Sequence, residues 1–94
     1  MNQIDDKFFD RVDAHIHLSN QQLSSGSKGE VSAAMMYSVA RFNAWISAAG
    51  WTNAKELEEA KEQTINYFVE EYRKKLNENL EDYIRNFDHY MNQK

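Results

Sequence analysis

Hydrophobic residues recur along the chain at the three-to-four-residue spacing of amphipathic helices. In the first segment, from about Asp5 to Leu23, they form one stripe on a single face. The second segment, from about Lys28 to Ala49, has Arg41 as its only charge after Glu30 and is apolar on more than one side, which indicates a central helix or one that packs against two partners. The third segment, from about Asn53 to Met91, has a stripe that drifts slowly around the helix.

Capping signatures mark the starts of the second and third segments. Ser27 with Glu30 three residues later forms a capping box, which makes Ser27 the expected N-cap. Asn53 with Glu56 makes a second such signature, and Thr52 is the alternative cap. The pattern therefore predicts helices that begin directly after these residues.

Helix-breaking residues are scarce, since the chain has three glycines and no proline. We expect Gly50 to adopt the left-handed conformation that ends many helices. No glycine follows it, so one continuous third helix would be about 57 Å long, against about 33 Å for the second. Either the chain turns near Asn77–Asn79 and folds back as a fourth helix, or a second subunit covers the far end. The second alternative is favoured, because neither glycine nor proline marks a turn there.

The predicted fold class is all-α. The expected architecture is a three-helix assembly with a long C-terminal helix, straight or kinked, in a single domain spanning residues 1–94; a break near Asn77–Asn79 would instead give a four-helix bundle. Apolar positions at helical spacing are expected to form the core: Phe8, Val12, Ile16, Met35, Val39, Phe42, Ile46, Phe68, Tyr72 and Leu76.

The amino-acid composition excludes several classes of protein. The 94 residues include no cysteine, which excludes disulfides, thiolate metal sites and cysteine nucleophiles and fits a reducing cytoplasm. A formal net charge of −4 argues against a nucleic-acid partner. The only basic run, Arg73-Lys74-Lys75, is surrounded by glutamates and indicates a salt-bridged helix face. Neither a signal peptide nor an apolar run of membrane-spanning length is present. We therefore expect a cytoplasmic protein without membrane or nucleic-acid partners.

The string Asp13-Ala14-His15-Ile16-His17 looks like the metal-binding signature of amidohydrolase-like hydrolases. On a helix, however, the two histidines point about 200° apart, and the chain is too short for the barrel that supplies the other ligands. Asp10, Asp13 and His17 (with Asp6) are left as weak candidates for a divalent cation. A solvated acidic face is the favoured interpretation of these residues. The sequence implies no cofactor and no catalytic residue.

The most distinctive segment is Arg41-Phe42-Asn43-Ala44-Trp45, because it places one arginine in the most apolar helix. The favoured interpretation is an arginine that pairs with a carboxylate on a neighbouring helix. The alternative is a partner-facing surface, since arginine and tryptophan are typical binding hot spots. Met36, Arg41, Asn43 and Trp45 are the candidate partner-binding residues.

Three blocks of the sequence resemble one family: Phe9 to Asn20, VSAAMMYSVARFNAW from Val31, and YFVEEYRKKLNENLEDYIRNF from Tyr67. They are similar to the uncharacterised domain-of-unknown-function family numbered 3144. The resemblance implies a bacterial α-helical protein and carries over no catalytic residue.

The function that the sequence favours is a small interaction or scaffold protein that self-associates as a homodimer and binds an unknown protein partner. The alternative is a helical pocket for a small apolar or amphipathic ligand between the first and second segments, where Met35 and Met36 could adapt to it. An enzyme of unknown type is the third hypothesis.

Overall fold

The computed structural model describes residues 5–92, and the predicted all-α fold class is confirmed for them. Four helices follow in order: α1 (Phe8–Gln22), α2 (Lys28–Ala49), α3 (Ala54–Arg85) and α4 (Phe87–Met91). Between Asp5 and Asn92 there is no helix whose length and apolarity would let it cross a membrane. The backbone groups into two units that divide between Ile46 and Ser47. The single-domain assignment remains a prediction.

The first unit contains α1 and most of α2, joined by a short loop at Gly26. The two helices do not lie side by side, since no Cα atom of α1 comes within 8 Å of one of α2. Val31 lies close to the loop, and a Cβ atom added at Gly26 would be 3.7 Å from its Cγ2. Between Asp5 and Ile46, α1 and α2 therefore meet only at the corner beside this loop.

Both predicted capping signatures are confirmed. The backbone N–H of Ser27 donates to Oε1 of Glu30 at 2.8 Å, and the N–H of Glu30 donates back to the Ser27 hydroxyl at 3.1 Å. At α3, Asn53 is the N-cap and accepts from the N–H of Glu56. Glu56 does not return the bond to Asn53; it accepts from the backbone N–H and hydroxyl of Thr52 at 2.9 and 2.8 Å.

The second unit consists of α3 and α4. The long third helix that the sequence favoured is confirmed, since α3 runs without interruption through Asn77–Asn79, and the alternative break there does not occur. Asn79 instead donates to the Lys75 carbonyl one turn earlier, within a regular helix. The interruption occurs at Asn86, whose side chain donates to the carbonyl and carboxylate oxygens of Asp82. Asparagine side chains compete in this way for backbone and nearby acceptors, and at Asn86, unlike at Asn79, the backbone leaves the helix.

The backbone conformation of Gly50 differs from the one expected from the sequence. No glycine between Asp5 and Asn92 has a positive φ angle, so Gly50 does not adopt the predicted left-handed conformation. Its N–H donates to the Ser47 carbonyl at 3.2 Å, which ends α2 in a tight turn with ordinary backbone angles. The position therefore does not need glycine for its conformation.

Within either unit taken by itself, the predicted core does not form. Val31, at 8% exposure, is the one buried hydrophobic residue between Asp5 and Asn92. Three of the predicted core residues are half-buried, namely Phe8, Met35 and Phe68. The others are exposed: Val12, Ile16, Val39, Phe42, Ile46, Tyr72 and Leu76. Helical periodicity identifies the apolar side of each helix, but in each unit too few helices lie together to cover it.

Candidate functional site

The most prominent exposed surface of the first unit is on α2, and we call Tyr37, Arg41, Phe42 and Trp45 the α2 aromatic face. Residues four apart on a helix lie on the same side, which places Tyr37, Arg41 and Trp45 in one row. The rings of Phe42 and Trp45 are 5.7 Å apart and tilted by 38°. Tyr37, Phe42 and Trp45 are 71%, 58% and 65% exposed. Such a group of large apolar rings in water is typical of a surface that binds another protein.

The four partner-binding candidates from the sequence do not form one patch. All lie on α2, but Arg41 and Trp45 are four residues apart on one side, whereas Met36 and Asn43 are seven apart on nearly the opposite side. Asn43 is half-buried and the others are exposed. Sequence reasoning left out Tyr37 and Phe42, although their spacing to Arg41 and Trp45 on a helix was a signal that could have identified them.

Arg41 makes no ion pair with any residue between Asp5 and Asn92. The carboxylate expected on a neighbouring helix is therefore not supplied by α1. Arg41 is exposed and Trp45 lies one turn further along the same side of α2, so the guanidinium can bind a carboxylate or stack on an aromatic ring of a partner.

The residues considered for a cation lie along exposed α1. Asp10, Asp13 and His17 are all solvent-exposed, and the Nε2 of His17 lies 3.3 Å from the amide nitrogen of Gln21. Within the part of the chain that the structure describes, no three histidine, cysteine, aspartate or glutamate side chains are grouped to hold a metal ion. Weak cation binding thus stays a prediction, without support from this geometry.

A shallow groove lies at the corner where α1 meets α2. Its lining is mostly apolar and comes from both helices: Ser19, Leu23, Lys28, Val31, Ser32 and Met35. Its volume of about 230 Å³ is below the ~300–1,000 Å³ of typical small-molecule sites. The groove has room for one or two side chains.

The titratable groups with shifted pKa values stabilise helix ends and the α3 surface. Hydrogen bonds from the Thr52 N–H and hydroxyl hold the pKa of Glu56 below its ordinary value, and Lys75 and Lys74 do the same for Glu71. The hydrogen bond from Arg11 lowers the pKa of Asp5. Each of these groups is at the surface, so the shifts describe local structure and do not indicate catalysis.

The α3–α4 junction is held by an aspartate that sequence reasoning missed. Asp82 accepts from the Tyr90 hydroxyl at 2.8 Å, and this hydrogen bond raises the pKa of Tyr90. The rings of Tyr83 and Tyr90 lie 4.5 Å apart. Asp82, Asn86 and Tyr90 follow one another at intervals of four residues, which places them on one side of a helix. This spacing is the signal in the sequence that could have identified the junction.

Comparison with known proteins identifies the family. Residues 8–84 match the family described as protein of unknown function (DUF3144). The NMR structure of the Shewanella protein NB7890A is similar, with 35% sequence identity, a TM-score of 0.78, and coverage of 99% of this chain and 100% of that one. No curated protein matches the chain. The match over residues 8–84 and the similarity to the Shewanella structure confirm the family expected from the sequence, and the chain belongs to DUF3144.

Proposed function

We propose that this chain is a self-associating interaction module, in which the exposed apolar surfaces of two copies pack against each other to form a shared core. One observation carries the proposal: Val31 alone is buried among the hydrophobic residues between Asp5 and Asn92, while large apolar side chains are exposed on every helix. Burial of apolar surface is the dominant favourable contribution to folding, so these side chains need a covering surface.

Neither unit supplies that surface from within itself. In the first unit, α1 and α2 diverge from their loop. In the second unit, the five-residue α4 accompanies only the end of the 32-residue α3. A helix in water is stabilised mainly by packing of its apolar face, and a lone stripe lacks that packing. A second chain provides a matching set of helices.

A second copy fits the character of α2 better than a transient partner does. This helix is apolar on several sides and bears few charges, like the interior of a domain. Permanent homodimer interfaces have that composition, whereas transient interfaces are more polar. Two-fold symmetric dimers are also the commonest assemblies of soluble proteins. The α2 aromatic face would supply hot-spot residues at the interface.

We place this assembly in the bacterial cytoplasm. The lack of cysteine fits a reducing compartment, and the similar solved structure comes from Shewanella. An unidentified protein partner is a further possible occupant of the same surface, and it would compete with the second copy.

Tryptophan fluorescence tests the proposal, because the chain has only two tryptophans. The Trp51→Phe variant leaves Trp45 as the single reporter on the α2 aromatic face. We expect its emission to shift to the red on dilution, as the indole moves from the interface into water. The matched variant Trp45→Phe, which reports from Trp51, identifies changes that are not specific to this face. Emission from Trp45 that stays blue at every dilution, with a monomeric mass, would mean that the chain covers this face itself.

The groove at the α1–α2 corner supports a second candidate function, binding of a small apolar ligand. Val31, Leu23 and Met35 give it an apolar lining. Its small volume, however, suits an inserted side chain from a second copy better than an enclosed ligand. Native mass spectrometry of freshly purified protein separates the two: a retained small-molecule mass would favour the ligand, and dimer without additional mass would favour the side chain.

A further inference from the structure

The apolar row of α3 is interrupted near its C-terminal end. Leu80, Ile84, Phe87 and Met91 follow one another at intervals of four, three and four residues, the spacing of a single row on a continuous helix. The helix is nevertheless broken at Asn86, whose φ and ψ angles of −119° and 30° are not helical. Phe87 and Met91 therefore belong to α4 and do not continue the row at regular helical spacing.

The break has a cause in a side chain and not in the backbone. Sharp kinks in helices arise at proline, at glycine, or where a side chain enters the ladder of backbone hydrogen bonds. The chain has no proline, and its last glycine is Gly50. The Asn86 side chain does enter the ladder, since its amide donates at 3.1 Å to the Asp82 carbonyl oxygen that also accepts from the Asn86 N–H. Removal of these side-chain contacts thus leaves nothing that prevents a continuous helix.

Asp82 is the centre of the contacts that hold the break, and we call Asp82, Asn86 and Tyr90 the Asp82 clasp. The Oδ1 atom of Asp82 accepts from the Asn86 amide, and its Oδ2 atom accepts from the Tyr90 hydroxyl, both at 2.8 Å. The Tyr90 ring also lies 4.5 Å from the ring of Tyr83. Between residues 72 and 92, Asp82 alone is half-buried, while the apolar residues around it are exposed. The clasp is therefore the one place in this segment where side chains cover one another.

The contacts of the clasp can open at little cost. Asn86 and Tyr90 are exposed, so water can replace the Asp82 carboxylate as their hydrogen-bond partner. The net contribution of such a hydrogen bond to stability is modest for that reason. A continuous helix would compensate by completing the backbone ladder across Asn86. We therefore expect the bent and the continuous arrangements to differ little in free energy.

We propose that Asn86 is a hinge, which the Asp82 clasp holds in the bent state, and that opening of the clasp joins α3 and α4 into one helix. The open state adds Phe87 and Met91 to the apolar row of α3. A surface that covers the whole row binds the open state better and shifts the population towards it. This effect on assembly rests on the proposed self-association, whereas the hinge itself does not.

Backbone NMR chemical shifts test the hinge at Asn86, because Cα shifts distinguish helical from other backbone angles. Asp82→Ala removes the carboxylate that accepts from Asn86 and Tyr90. We expect a helical Cα shift at Asn86 in this variant, with helical shifts retained from Phe87 to Met91. Asn86→Ala removes the side chain that enters the ladder, and residue 86 of that variant provides the reference for the continuous helix.

Two further variants show whether the effect is specific to the clasp. Asp88→Ala is the matched control, because Asp88 also accepts from an asparagine amide one turn away, that of Asn92 at 2.8 Å, but lies outside the clasp. It should leave the Cα shift of Asn86 non-helical. Tyr90→Phe keeps the ring and loses the hydroxyl, so its Asn86 shift should lie between those of the natural chain and Asp82→Ala.

Two results would overturn the hinge. A non-helical shift at Asn86 in Asp82→Ala would show that the backbone sets the break by itself. Loss of the helical shifts from Phe87 to Met91 would show that α4 depends on the clasp and that no continuous state forms.

Sedimentation equilibrium of the same chains measures the effect on assembly separately. Asp82→Ala should lower the dimer dissociation constant several-fold, whereas Asp88→Ala should leave it unchanged. An unchanged constant in Asp82→Ala would contradict the link between the hinge and assembly. A monomeric mass in every chain would overturn the proposed self-association, while the chemical shifts would still decide the hinge.

Discussion

The rings of Phe42 and Trp45 lie 5.7 Å apart on α2, and both remain more than half exposed. These two aromatic side chains contact each other, but their outer faces remain exposed to water. The same condition holds along α1, α3 and α4, where apolar residues stand at regular helical spacing without cover. The proposed self-association would cover these surfaces together.

Truncation of Trp45 should weaken self-association strongly. Hot-spot tryptophans contribute at least about 2 kcal/mol each to binding, and Trp45→Ala removes one from each copy, so it should raise the dimer dissociation constant by more than about 30-fold. Trp45→Phe keeps an aromatic ring and should have a smaller effect. Sedimentation equilibrium over a dilution series measures both variants. Unchanged dissociation constants would place Trp45 outside the interface.

The capping box at α2 should contribute measurably to stability. Ser27→Ala leaves the Glu30 N–H without its partner, and loss of an N-cap costs about 1 kcal/mol. Ser27→Gly should cost only a few tenths of a kcal/mol, because glycine leaves the N–H groups accessible to water. Urea unfolding at one fixed chain concentration compares them. Equal stability of Ser27→Ala and the natural chain would show that this bond contributes nothing.

Gly50 should tolerate alanine. An added Cβ atom would meet only the Ser47 carbonyl oxygen at 3.5 Å, an ordinary contact, and the φ angle is negative. Alanine also reduces the freedom of the unfolded chain, so Gly50→Ala should stabilise the protein by about 0.4–1 kcal/mol. Thermal unfolding at fixed concentration is the measurement. Clear destabilisation would instead indicate a left-handed conformation at this position.

Acid should weaken the start of α3 in a predictable direction. Hydrogen bonds from Thr52 make the pKa of Glu56 lower in the folded chain than in the unfolded chain. The stabilisation is therefore complete above the ordinary glutamate pKa of about 4.3 and is lost as pH falls through the lowered value. Glu56→Gln keeps an acceptor but does not titrate.

Urea unfolding across pH should show this difference. The natural chain should be more stable than Glu56→Gln near neutral pH, and the gap should close in acid. A gap that is constant across pH would mean that the charge of Glu56 does not matter at this cap.

Local signals in the sequence predicted local structure well. Ser27 with Glu30 and Asn53 with Glu56 identified two helix starts, because a cap involves only residues within one turn. The long third helix was predicted correctly, whereas its interruption at Asn86 was not predicted, because asparagine permits both a helix and a turn. What distinguishes Asn86 is Asp82 one turn earlier, which accepts from the Asn86 amide and from Tyr90.

The core and the candidate surface were harder to predict, for a physical reason. Hydrophobic spacing shows that Phe42 and Ile46 face an apolar environment, but it does not show which chain provides it. The same spacing arises whether a helix packs within its own chain or against a second copy. For Arg41 and Trp45, residue type suggested an interface, whereas Tyr37 and Phe42 are added only when the helical spacing along α2 is also considered.

The molar mass in solution tests self-association most directly. Sedimentation equilibrium at several concentrations should give twice the chain mass of 11.1 kDa, falling towards 11.1 kDa on dilution. The midpoint of thermal unfolding should rise with concentration over the same range, because association stabilises the folded chain. A mass of 11.1 kDa at every concentration, with a concentration-independent unfolding temperature, would contradict a core shared between two copies.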